Sequence, residues 1–180
     1  MEIKQLSSDT IEDWYDFFDN RAFSDHKEWN TCYCTAFFTP RFVEYKSKSI
    51  KKRDYSRWLI ETDKMKGFIA YETGRVVGWV NANDKMYFPR LKNIYEKDEK
   101  TFSIACFIVQ KEYRRKGIAQ RLLNTVIQYA EENGYHIIEA YPKKKRNSEY
   151  NIWNGPYEMY KRNSFIDHRV NEVNVVRKYI

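Results

Sequence analysis

Apolar and polar positions alternate with two different periods along this chain, and the switches between them mark its elements. Glu2–Leu6 has the alternation of a strand. Ile11, Trp14, Tyr15 and Phe18 then recur at helical spacing, behind Ser7, Ser8 and Asp9, residue types that cap helix starts. Residues 20–38 are aromatic and irregular. Thr39-Pro40 opens a further stretch predicted to be helical to about Lys64. Gly67–Glu72, the turn Thr73-Gly74 and Arg75–Asn81 read as a hairpin, and a charged loop follows over 83–100.

Thr101–Val109 is a nearly unbroken apolar run, as a strand buried on both faces requires. Ile118, Leu122, Leu123, Val126, Ile127 and Ala130 repeat with helical period and stop at Asn133-Gly134. His136–Tyr141 is a second strand. Strand, helix and strand in succession predict a parallel crossover with the helix packed across the pair. Pro156 starts a short helix to Asn163, and Phe165–Val170 and Val173–Tyr179 form a closing antiparallel pair. The expected fold class is α/β, a mixed sheet whose antiparallel N-terminal half joins one parallel crossover, in a single domain over 1–180.

Composition narrows the function classes. A length of 180 residues suits one domain, and 15 Tyr, 11 Phe and 5 Trp can fill its core. No apolar run approaches the roughly 20 residues that span a bilayer. The first residues lack the basic-then-apolar order of an export signal, and three cysteines are too few for a disulfide framework. A cytoplasmic location is therefore expected. The formal charge of +7 attracts anions, whether nucleic acid, an anionic membrane or a polyphosphorylated small molecule, or simply keeps the surface solvated. Basic residues are scattered and no nucleic-acid-reading motif appears, so neither nucleic acid nor membrane is expected as a partner.

The chemistry concentrates in Val109–Leu123. A buried strand ends, the basic turn Arg114-Arg115-Lys116 follows, and a helix begins at Gly117-Ile118-Ala119-Gln120. A helix N-terminus exposes unpaired N–H groups and about half a positive charge, and small residues let an anion approach it. The segment is a phosphate cradle or an ordinary basic surface turn. It is neither a Walker loop nor the dinucleotide fingerprint, since the glycines of those motifs are missing.

Arg114-x-x-Gly117-x-Ala119 resembles the acetyl-CoA signature Gln/Arg-x-x-Gly-x-Gly/Ala of the GNAT superfamily of N-acetyltransferases. Met159–Phe165 is similar to the family's Leu-Tyr-x-x-x-Gly-Phe, with Ser164 in place of Gly, and the hairpin Phe68–Asn81 resembles its second and third strands. The stretches Trp29…Cys32-Tyr33-Cys34, Val77-Gly78-Trp79, Cys106–Val109 and Glu139–Pro142 also look like an uncharacterised bacterial subgroup. Lys111 and Arg115 stand where Pro and Gly are usual. The family's Asn is absent from its ordinary register, where Asn151 or Asn154 would have to substitute.

The resemblance implies transfer of an acetyl group from acetyl-CoA, as co-substrate and without a metal, to a primary amine of a small molecule or peptide. A catalytically inactive CoA-binding sensor is the alternative, and a homodimer is left open. Cofactor contacts are expected from Phe107, Ile108 and Val109, from Arg114, Arg115, Lys116, Gly117, Ile118, Ala119 and Gln120, and from Asn154. Tyr160 matches the family's general acid. Glu139 is the candidate base, and otherwise a salt-bridged residue paired with one of Lys143–Lys145. A base matters because an alkyl ammonium of pKa ~10.4 is only about 0.1% neutral near pH 7.4. Backbone N–H groups of Ile108 or Val109 would stabilise the developing oxyanion, and aromatic residues in 29–38 and 79–88 would line the acceptor site. Cys32, Cys34 and His26 fall short of a zinc ligand set, and Cys106 reads as core filler.

Overall fold

The computed structural model describes residues 1–39, 51–94, 100–144, 153–170 and 173–180. The expected helical opening at Thr39-Pro40 and the basic residues Lys145 and Arg146 fall wholly or partly outside them. Among the described residues seven strands form one sheet: β1 (Glu2–Gln5), β2 (Gly67–Glu72), β3 (Arg75–Asp84), β4 (Thr101–Val109), β5 (Ile137–Ala140), β6 (Ile166–Val170) and β7 (Val173–Tyr179). Their spatial order is β1-β2-β3-β4-β5-β7-β6, with β4 and β5 parallel and every other pair antiparallel. The mixed sheet with its single parallel crossover is thus as the periodicity predicts.

Strand β3 runs three residues further than the hairpin signature indicates, to Asp84, so the following loop starts later and opens with two 3-10 turns, Lys85–Tyr87 and Pro89–Ile94. The extension is polar in sequence, yet Asn81 and Asn83 are buried because their amides bond Cys34 O at 3.3 Å and Lys64 O at 2.7 Å. The Asn83 side chain both donates to Lys64 O and accepts from Asp84 N–H, whereas Asn81 has only its Nδ2 paired.

Among the described residues four α-helices cover the two faces: α1 (Ile11–Asn20), α2 (Lys52–Glu61), α3 (Ile118–Glu132) and α4 (Tyr157–Arg162). On one face Trp14, Phe18, Leu59 and Ile60 pack with Trp79, Ala105 and Ile108. On the other, Ile118, Leu122, Leu123 and Val126 of α3 and Met159 and Tyr160 of α4 pack with Val77, Ile104 and Phe107. Gly78 brings α3 close to β3. A Cβ there would lie 2.8 Å from Ile118 Cγ2 and 3.4 Å from Leu122 Cδ1.

Two details of β4 position the site. Its register with β3 slips between Asn81 and Ala82, leaving Ala105 as the extra residue of a bulge. Its parallel pairing with β5 ends at Ile104↔Ala140. Beyond that point Cys106–Val109 keep β3 on one side, and among the described residues no strand pairs with the other.

Candidate active site

The turn between β4 and α3 presents backbone rather than side chains. Gly117 has φ +80°, the left-handed region that glycine enters at no steric cost, and a Cβ built there meets nothing within 4 Å. The mouth of α3 is thus open, with the bare N-terminal amides of a 15-residue helix behind it. Arg115 and Lys116 are exposed beside it, and Lys116 Nζ lies 5.1 Å from the Tyr113 ring centroid. Ile118 is buried and Ala119 half-buried against the sheet.

Two side chains expected at this cradle are used elsewhere. Arg114 turns back to donate to Val109 O at 3.0 Å and to both carboxylate oxygens of Asp25, at 2.5 and 3.0 Å. This guanidinium holds the Asp25 carboxyl below its usual range. Gln120 faces α4, exchanging hydrogen bonds with Asn163 at 2.9 and 3.1 Å.

Strand parity sorts the backbone donors. Gln110 N–H donates to Val77 O on the β3 side, while Phe107 N–H donates to Trp153 O on the other. With no slip between them, Ile108 N–H shares the β3 side with Gln110, and Val109 N–H shares the open side with Phe107. Of the two donors expected for an oxyanion, Ile108 is therefore turned toward β3, and Val109 toward the edge of β4 that carries no strand among the described residues.

Tyr160 projects from α4 into the core behind Phe107 and is fully buried. Its hydroxyl donates to Asn154 O at 2.6 Å, and burial pushes its pKa well up. The Asn154 side chain donates to Ala105 O at 3.0 Å. Asn154 therefore bridges the bulge of β4 to the tyrosine.

Glu139 is placed differently from the expectation. It is wholly buried on β5, and among the described residues its partners are neither Lys143 nor Lys144, while Lys145 lies outside them. Lys85 Nζ and the Tyr141 hydroxyl reach Oε1 at 2.6 and 2.7 Å, and Arg177 Nε reaches Oε2 at 2.6 Å. Both oxygens are spent on an internal ion network closed by a Ser103–Tyr141 hydrogen bond of 2.9 Å, so this carboxylate has no exposed lone pair for an incoming amine. Lys144 pairs instead with Asp167 at 3.3 Å. Lys85 and Arg177, which complete the network, are 54 and 38 positions from Glu139 in sequence, and neither lies in a recognisable pattern.

The aromatic segments expected around an acceptor do converge. Phe37 lies 5.8 Å from Phe88 and 6.2 Å from Trp153, centroid to centroid, and Phe38 lies 5.0 Å from Phe88. Cys34 is buried beneath them, accepting from Trp79 Nε1 at 3.3 Å, and contact with Cys106 together with burial raises its thiol pKa well above the ordinary range. His26 stacks on Trp29 at 4.3 Å and bonds Glu28, away from both thiols. Among the described residues no cluster of three His, Cys, Asp or Glu could hold a metal.

Comparison with known proteins places this geometry in a family. The model of the acetyltransferase (GNAT) family matches residues 6–149. The chain belongs to the GNAT acetyltransferases. Solved structures share its fold at low identity. The GNAT domain of S. lividans PAT superposes with a TM-score of 0.61 at 16% identity, covering 99% of this chain and 89% of that one. A ribosomal-protein-alanine N-acetyltransferase from Brucella melitensis gives 0.58 at 13%, over 100% of both chains. The PaiA N-acetyltransferase of Thermoplasma acidophilum, solved in complex with coenzyme A, gives 0.56 at 13%, again over 100% of both. No curated protein sequence matches the chain.

Proposed function

We propose that this GNAT protein transfers an acetyl group from acetyl-CoA to a primary amine of a small molecule or peptide. The observation that carries the reading is the open mouth of α3 at Gly117, backed by helix amides and flanked by Arg115 and Lys116, at the end of the strand that leads to Tyr160. A diphosphate fits there because the site offers backbone donors and no side chain to displace. Acetyl-CoA, as co-substrate, supplies the thioester that the reaction cleaves.

The chain's own groups divide the work. Phe107 and Val109 direct their N–H groups to the open side of β4, where a carbonyl oxygen gaining charge would be stabilised. Tyr160 holds a phenolic proton close to that edge, where it could pass to the departing thiolate. Phe37, Phe38 and Phe88 form an apolar wall for the acceptor's carbon skeleton. Release of free thiol from acetyl-CoA in the presence of a panel of amines tests the reading. Acetyl-CoA binding with no thiol release for any amine would favour the sensor alternative.

A further inference from the structure

The free edge of β4 is already taken. Beyond Ile104 this strand turns hydrogen-bonding groups away from β3, and a ligand passing from Gly117 toward Tyr160 would run along them. Segment 153–154 occupies that track by three bonds of its own. Trp153 O accepts from Phe107 N–H at 2.6 Å, Asn154 Nδ2 donates to Ala105 O at 3.0 Å, and Asn154 O accepts the Tyr160 hydroxyl at 2.6 Å. The Trp153 ring extends the same segment onto the acceptor wall at Phe37.

An extended ligand with amides pairs with a strand edge through the same backbone donors and acceptors that a neighbouring strand would use. The two amides in the arm of acetyl-CoA make it such a ligand. Both cannot hold Phe107 N–H and Ala105 O at once. Resting on the acetyl-CoA reading above, we propose that Trp153-Asn154 is an internal strap that mimics the co-substrate on β4. It must leave the edge before acetyl-CoA docks, and its departure also frees the Tyr160 hydroxyl. Asn154 is then a competitor of the ligand in the closed state.

The sign of one mutational effect separates the strap from a direct contact. Apparent affinity is the intrinsic affinity reduced by the fraction of molecules that are open. Asn154→Ala deletes one bond of the closed state and should tighten acetyl-CoA binding about three- to tenfold by calorimetric titration. Unchanged or weaker binding by this variant, with the wild type binding normally, overturns the strap. A second measurement needs no change at Asn154. Saturating acetyl-CoA should alter the tryptophan emission of the wild-type protein, and Trp153→Phe should abolish that part of the change while still binding. If the emission change is the same in both, Trp153 has not moved and the proposal fails. Binding by Asn154→Ala but not by wild type supports it outright. If neither binds, the acetyl-CoA reading itself falls, and the strap with it.

Discussion

Arg114 and Asp25, 89 positions apart in sequence, are joined by two hydrogen bonds of 2.5 and 3.0 Å, so the loop after α1 is fastened to the turn that opens α3. The same guanidinium bonds Val109 O at the end of β4. One side chain thereby ties the loop after α1 to the end of β4 and the start of α3. The Asp25 carboxyl is held below its usual pKa by this partner, so its contribution to stability is present above the unfolded aspartate pKa and is lost as pH falls through the folded one. Arg114→Ala should lower the Tm by about 2–4 °C at neutral pH, for a pair of about 1 kcal/mol with its arginine partly in solvent. The gap between variant and wild type should close in acid, and a gap constant with pH would show that the pair contributes nothing.

Gly117→Ala is expected to fold, because its Cβ enters open space, at a backbone cost of about 1 kcal/mol for the left-handed conformation. That same space is where a diphosphate would lie. Acetyl-CoA affinity should fall at least about tenfold, that is by about 1.4 kcal/mol, in a calorimetric titration. An unchanged Kd would remove the diphosphate from the α3 mouth.

Tyr160→Phe keeps the ring that packs on Phe165 and Phe107, and deletes the hydroxyl bonded to Asn154 O. A general acid contributes typically 10²–10⁴-fold, so kcat should fall by about that factor once an acceptor is found. Acetyl-CoA affinity should not fall with it, since the deleted bond belongs to the closed strap. A variant with wild-type kcat would return Tyr160 to the core as a packing residue.

Glu139→Gln leaves Lys85 and Arg177 buried beside a neutral amide. Breaking a buried ion network by removing one partner costs about 3–5 kcal/mol, and urea unfolding should show a loss of that order. A variant of wild-type stability that loses only catalysis would instead restore Glu139 as the base.

Tyr33 supplies an alkaline probe of the same loop. Burial first, and then its hydrogen bond to Asp19, raise its phenol to about 12. The neutral phenol is favoured in the folded protein, so its contribution is complete below the unfolded tyrosine pKa and disappears as pH rises through the folded one. The ultraviolet difference between wild type and Tyr33→Phe should therefore titrate near pH 12. A midpoint near 10, the ordinary tyrosine value, would show that the loop does not hold the ring.

The sheet was legible because each strand and helix carries its period in neighbouring residues. Thr101–Val109 and Ile118–Ala130 announce β4 and α3 without help from elsewhere. Gly117 was legible for the same reason, since a strand end, a glycine and a helix start are adjacent in the chain. The partners of Glu139 were not, because Lys85 and Arg177 meet it only through the register of β3, β5 and β7. The direction of Arg114 was hidden likewise, since nothing in the motif shows Asp25. Strand parity decided between Ile108 and Val109, and the bulge at Ala105 that shifts that parity has no mark in an apolar run.

Gly78 offers no side chain to the proposed chemistry, yet it lies opposite Val109 in the sheet and sets the height of the first turn of α3 through Ile118. A methyl group there would act as a shim, tilting that turn and moving the ring of amides relative to β4 by a few tenths of an ångström. Tuning of affinity in this molecule can therefore arise from a strand on the far side of the binding edge, through thickness alone and with no ligand-binding residue replaced.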